Sequence, residues 1–175
     1  MVNLAALILR LVLGGLLAGH GAQKLFGSFS GPGLEGTSGF MEMLGLKPGR
    51  PWAYLAGLSE FGGGVLTVLG FLNPLGPIGV IGAMAMATTT AHKGKPIWVT
   101  EGGAELPLTN MAAATALILN GPGKWSLDRA LGLSLPRWLA PLGLVAIILT
   151  VIYGGPNDET EQDEAREGAA GEDEA

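Results

Sequence analysis

Glu60 is the only charged side chain in the apolar segment Trp52–Leu72. At about 20 residues and ~1.5 Å per residue, that segment matches a hydrocarbon core of ~30 Å, with Glu60 about 12 Å along it. A charge at such a depth is costly, so it usually has a partner and often a task. The apolar segment Leu4–Leu25 offers partners in Arg10, His20, Gln23 and Lys24. His20 and Lys24 are four residues apart and share a helix face. A quinone or a small organic acid needs a hydrogen-bond donor at its oxygen and a proton source nearby, which a histidine and a buried carboxyl supply. His20, Gln23, Lys24, Glu60 and His92 are therefore the ligand-binding candidates. Arg10 is a structural ion-pair candidate nearer the opposite membrane face, where it can snorkel. The competing reading is a buried ion pair that fixes helix register.

Other chemistries find less material. His20 and His92 sit on different segments and offer two axial ligands for haem, but both lie near segment ends, where interfacial histidines are common. Two histidines and scattered carboxylates do not make a zinc site, and no metal is expected. No cysteine occurs, which excludes disulfides, thiolate catalysis and iron–sulfur ligation. Gly62-Gly63-Gly64 is no phosphate loop, because no strand precedes it and no Gly-Lys-Ser/Thr follows. No intrinsic cofactor and no nucleic-acid partner are expected.

The elements that must position these groups are helical. Of the 175 residues 48% are hydrophobic and only 14% charged, and the mean hydropathy is +0.41. An ordinary soluble domain carries about 25% charge, so the lipid bilayer is the expected partner. Five apolar segments can be drawn: Leu4–Leu25, Trp52–Leu72, Leu75–Ala91, Leu106–Leu119 and Trp138–Tyr153. Strand alternation is absent, and in lipid a helix satisfies its own backbone. The first segment has no basic region before it and reads as a retained span, not a signal peptide. Pro107 suits the first turn of the fourth. Gly36–Leu44 is an amphipathic helix capped by Thr37 or Ser38, with Phe40, Met41, Met43 and Leu44 against the membrane surface. Leu72-Asn73-Pro74 is a tight turn, and Ser126-Leu-Asp128-Arg129 starts a short surface helix. Trp52, Trp98, Trp125 and Trp138 flank the spans as an aromatic belt. Lys93 and Lys95 form a charged surface turn.

Small residues predict close packing. Ala53, Gly57, Glu60, Gly64 and Thr67 share one face, as do Arg10, Gly14, Leu17, Gly21 and Lys24, and Thr109, Ala113, Ala116 and Asn120. Alternating topology then brings His20, Gln23, Lys24, Glu60, Thr88–Thr90, His92, Glu105, Thr109 and Asn110 toward one membrane face, as a polar pocket. That face also holds Lys47, Arg50, Lys93 and Lys95, and the positive-inside rule makes it cytoplasmic. The net charge of −5 divides unevenly. Pro156–Ala175 holds nine acids and one base, the composition of a disordered tail, while residues 1–155 carry +3.

At these residues the chain resembles the DoxX family of small membrane proteins. The matching stretches are Arg10-Leu-Val-Leu-Gly-Gly-Leu-Leu-Ala-Gly-His20-Gly-Ala-Gln-Lys24-Leu-Phe-Gly27, then Leu58-Ser-Glu60-Phe-Gly-Gly-Gly-Val-Leu-Thr-Val-Leu-Gly70, and Gly121-Pro-Gly-Lys-Trp-Ser-Leu-Asp128-Arg129. The resemblance spans residues 4–131. It implies a four-helix membrane bundle linked to quinone-coupled oxidoreductases, sulfur-compound oxidation and oxidative-stress complexes. The expected fold is thus all-α: a DoxX-like integral membrane four-helix bundle over residues 1–131, an additional transmembrane helix over 132–155, and a disordered acidic tail over 156–175. The expected protein is a multi-pass cell-membrane subunit of a redox complex, with quinone as its small molecule and a membrane or soluble oxidoreductase as its partner. A small-solute transporter and a non-catalytic anchor for soluble oxidoreductases are the alternatives.

Overall fold

The computed structural model describes residues 2–155; the expected acidic tail, 156–175, lies outside the described residues. These residues form seven α-helices and two short 3-10 turns, without strands. The helices are α1 (Val2–Phe26), α2 (Gly33–Met43), α3 (Gly49–Leu69), α4 (Leu75–Thr89), α5 (Glu105–Asn120), α6 (Leu127–Leu131) and α7 (Leu139–Gly154). Each of the five apolar segments is a helix, with bounds shifted by three residues or fewer at every end. The stretch Asn3–Phe26 of α1 is by itself long and apolar enough to cross a membrane, while α4 and α7 are apolar but shorter.

α1, α3, α4 and α5 close a ring: α1 packs on α3, α3 on α4, α4 on α5, and α5 returns to α1. Small residues bring the backbones together. A Cβ on Gly21 would lie 2.2 Å from the Phe61 nitrogen, and one on Gly64 would lie 2.4 Å from the Ala18 nitrogen. Only glycine allows that approach. The expected stripe of α3 is buried along its length, at Ala53, Gly57, Glu60, Gly64 and Thr67. Leu13, Leu17, Val80, Met84, Ala114 and Leu117 fill the centre.

The expected stripe of α5 is corrected. Thr109 and Asn120 are exposed, Ala113 and Ala116 half-buried, and the buried face is Pro107, Ala114 and Leu117. Small Ala114 packs inward beside Leu117, while Leu106, Leu108 and Leu119 are exposed, so residue size does not mark the packing face of this helix. α2 is also corrected. It begins at Gly33, and Thr37 is an interior residue whose hydroxyl donates to the Gly33 and Lys24 carbonyls at 2.7 and 3.2 Å. Met41 is buried against Leu46 and Ala53, so this face meets α3 and not the membrane surface; Phe40 and Met43 remain exposed.

The far end of the bundle is fastened by polar groups. α3 ends at Gly70 with φ 58°, and the Phe71 amide returns to the Leu66 carbonyl at 3.0 Å, closing a left-handed cap. A Cβ on Gly70 would also lie 2.6 Å from the Arg10 guanidinium carbon. Ser126 caps α6 as expected, accepting from the Arg129 amide at 3.3 Å. Asp128, read from sequence as part of a surface helix, is buried, and its two oxygens accept from the Leu72 and Asn73 amides at 2.8 and 2.9 Å. The α3–α4 turn is thus held by α6. Outside the ring, α2 covers one end of α3 and α1, and α7 lies along α4.

Candidate functional site

Lys24 ends α1 and Glu60 lies at mid-α3, and the close approach of these helices through Gly21 brings the two together. The Lys24 ammonium pairs with both carboxylate oxygens, the only ion pair among the described residues. Glu60 is 4% exposed, whereas the Lys24 side chain keeps 26%. The carboxylate is therefore sealed and the ammonium reaches outward on its stem. An ammonium has three N–H groups, and a two-oxygen carboxylate leaves one free.

The pair borders a cavity of about 300 Å³ between α2, α3, α4 and α7. Most of its wall is apolar: Trp52 and Ala56 from α3, Gly82 and Met86 from α4, Ala146 and Ile147 from α7. Its polar groups are few. Thr90 and Thr150 spend their hydroxyl protons on the carbonyls of Met86 and Ala146, four residues back, at 2.7 and 2.9 Å. Ser59, next to Glu60, also lines the cavity and has no side-chain hydrogen bond to the described residues. Lys24, Glu60 and Ser59 are thus the groups free to meet a polar atom in an otherwise greasy chamber. This is the expected composition of a small-molecule site: an apolar wall with a few convergent polar groups.

The polar pocket expected from the sequence is smaller than the residue list implied. His20 is exposed on the outer face of α1 and does not line the cavity. Gln23 is half-buried against Gly31, also outside it. His92 lies in the α4–α5 connection, its Nδ1 2.6 Å from the Gly102 carbonyl. Glu105 accepts from the Val99 amide at 2.9 Å, Thr109 donates to the Glu105 carbonyl, and Asn110 faces the Met84 sulfur. Neither histidine lines the cavity. Among the described residues no group of three metal-ligating side chains occurs.

Arg10 is corrected in both expected roles. It is 3% exposed, so it does not snorkel, and among the described residues it makes no ion pair within salt-bridge distance. Instead Nε donates to the Thr67 carbonyl at 3.0 Å, Nη2 to Val68 at 2.6 Å, and Nη1 to Pro122 and Trp125 at 2.7 and 2.8 Å. The guanidinium ties the end of α3 to the chain after α5. The spacing that put Arg10 on the packing face was informative; its partners were invisible because backbone carbonyls carry no sequence signal. Ser59, Trp52 and the inner face of α7 were also missed. Trp52, read as part of an aromatic belt, is half-buried on the cavity wall.

A ring of helices joined through glycine contacts, with one ion pair between the first two long helices, defines a small helical-bundle protein. The DoxX family model matches residues 5–93, half of the chain, and the chain belongs to the DoxX family. The match covers α1 to α4, with both members of the ion pair, and ends before α5, α6 and α7. No curated protein and no solved structure matches the chain.

Proposed function

We propose that this DoxX protein is a multi-pass integral membrane subunit of a redox complex, and that the cavity beside Lys24 and Glu60 takes a quinone-class molecule. The observation that carries the reading is the Lys24–Glu60 pair, with its buried carboxylate, on the wall of an apolar cavity. Membrane embedding has its own support. Leu142, Val145, Ile148, Leu149 and Ile152 are exposed on α7, and Leu4, Ile8, Leu11, Val12 and Leu16 on α1. Contiguous apolar faces of this extent call for lipid. Trp98, Trp125 and Trp138 stand exposed at the ends of the helices, as an interfacial belt requires.

The residues fit such a ligand. Lys24, through its third N–H, and the Ser59 hydroxyl are the groups that would meet a ring oxygen of such a ligand. Glu60 holds Lys24 in place and is the group able to exchange a proton with a reduced hydroxyl. The quinone, when bound, supplies the electron chemistry, and a partner oxidoreductase delivers or removes the electrons. The test is to purify the protein in mild detergent from its native membrane and analyse the lipid extract and the accompanying proteins. The expected result is a retained quinone or an associated oxidoreductase, with the quinone lost from Glu60→Gln. If neither accompanies the protein, the redox role falls. Solute flux in liposomes that depends on Glu60 would favour transport instead.

A further inference from the structure

The cavity is closed on one side by α7, which lies beyond the family match. No residue of α7 is buried, and its main partner is α4. It is held close at two glycines. A Cβ on Gly143 would lie 2.8 Å from Ile78, and one on Gly154 would lie 2.4 Å from the Trp52 ring. Between them Ile147 rests over Gly82, and Ala146 and Thr150 face the gap. α7 is thus a panel fastened at its ends, with a space behind its middle.

The lining residues that are also exposed mark where this space reaches the outside. They are Phe40 of α2, Leu55 of α3 and Ala146 of α7. All three are apolar, and on α7 and α3 their neighbours Leu142, Val145, Leu149 and Leu58 are exposed too. Toward the end with the basic loops, Leu44, Leu46 and Ala91 are buried or half-buried. The geometry points to a lateral entrance, framed by Phe40, Leu55 and Ala146, through which an uncharged, membrane-dissolved molecule with one oxygen-bearing head enters directly from the lipid. The charged groups of Lys24 and Glu60 lie among the lining residues, whereas the mouth carries no polar side chain. A water-borne ion gains nothing at such a mouth, and a lipid-dissolved molecule loses nothing by entering it.

This inference rests on the membrane reading and is independent of redox chemistry. The chain has no cysteine, so single-cysteine variants report one position each. Ala146→Cys and Leu55→Cys test the mouth, Val145→Cys the lipid-facing side of α7, and Lys93→Cys the water-facing loop. Each is reconstituted in phosphatidylcholine liposomes and treated with pyrenyl maleimide, which dissolves in lipid, or with a sulfonated methanethiosulfonate, which does not. A lateral entrance predicts that both mouth cysteines react with the maleimide at a rate similar to Val145→Cys. It also predicts that they lag Lys93→Cys by about tenfold or more with the sulfonated reagent. If the sulfonated reagent reaches the mouth as fast as it reaches the loop, the cavity opens to water and the inference fails. It also fails if neither reagent reaches the mouth. If Val145→Cys also reacts freely with the sulfonated reagent, the membrane reading fails with it; a missing quinone in purified protein would leave the entrance intact.

Discussion

Removing either partner of the Lys24–Glu60 pair leaves a charge behind, but in different surroundings. Lys24→Ala strands a carboxylate that is 4% exposed, while Glu60→Gln strands an ammonium whose side chain is 26% exposed and can follow its stem outward. Breaking a buried pair typically costs about 3–5 kcal/mol, so Lys24→Ala is expected near that range. Glu60→Gln keeps the shape and an acceptor, and about 1–2 kcal/mol is expected. The double variant Lys24→Met/Glu60→Gln should be more stable than Lys24→Ala alone, as thermal unfolding in detergent will show. Arg10 gives a second residue-scale prediction. Four carbonyls around three nitrogens match a guanidinium fork and no single ammonium. Arg10→Lys should therefore lower the unfolding midpoint nearly as much as Arg10→Ala. At this scale the sequence exposed Glu60 and Lys24 because charge is rare in an apolar run. It misled at His20 and His92, where a reactive side chain near a helix end shares the depth of the site but faces elsewhere.

Helices meet here through positions that a methyl group closes. Gly21→Ala and Gly64→Ala would press Cβ atoms into the backbone of the facing helix, and each should cost about 1–3 kcal/mol. Gly15, Gly19 and Gly62 have nothing within 4 Å of an added Cβ, so Gly19→Ala and Gly62→Ala should leave the unfolding midpoint unchanged or raise it slightly. The same midpoint measurement across the four variants checks the packing faces of α1 and α3. Those two faces were legible because small residues and a charge recur at three-and-four spacing. The face of α5 was not, because Thr109, Ala113, Ala116 and Asn120 repeat with the same period while Pro107, Ala114 and Leu117 do the packing. Size alone does not distinguish a residue that admits a neighbour from one that merely lacks bulk. The start of α2 was missed for a related reason: Thr37 has the chemistry of a cap, but the helix extends four residues ahead of it.

Across the whole molecule, α7 brings Gly154 beside Trp52, at the end of the bundle that also holds α2 and Lys24. Gly155 therefore lies at the same end as the loop bearing Lys93 and Lys95, and opposite the loop bearing Lys124. Single cysteines at Lys93, Lys124 and Gly155 in oriented membranes should give matching accessibility for the first and last positions and the reverse for Lys124. The helix count and order were readable from apolar segments and turn residues. The cavity was not, since it arises from how α7 stands off α3 and α4, and Ala146 or Gly82 in isolation has no signature of lining a space.

If a quinone-class molecule occupies this cavity against Lys24 and Glu60, as proposed, Trp52 on the cavity wall can report it. Trp98, Trp125 and Trp138 are exposed, so replacing all three by Phe leaves Trp52 as the sole tryptophan with the fold preserved. Titrating this variant with a short-chain benzoquinone should quench Trp52 saturably. Adding Glu60→Gln should weaken the apparent affinity by about tenfold, the equivalent of one charge-assisted hydrogen bond. Quenching that never saturates, or a saturable curve unmoved by Glu60→Gln, would contradict the account.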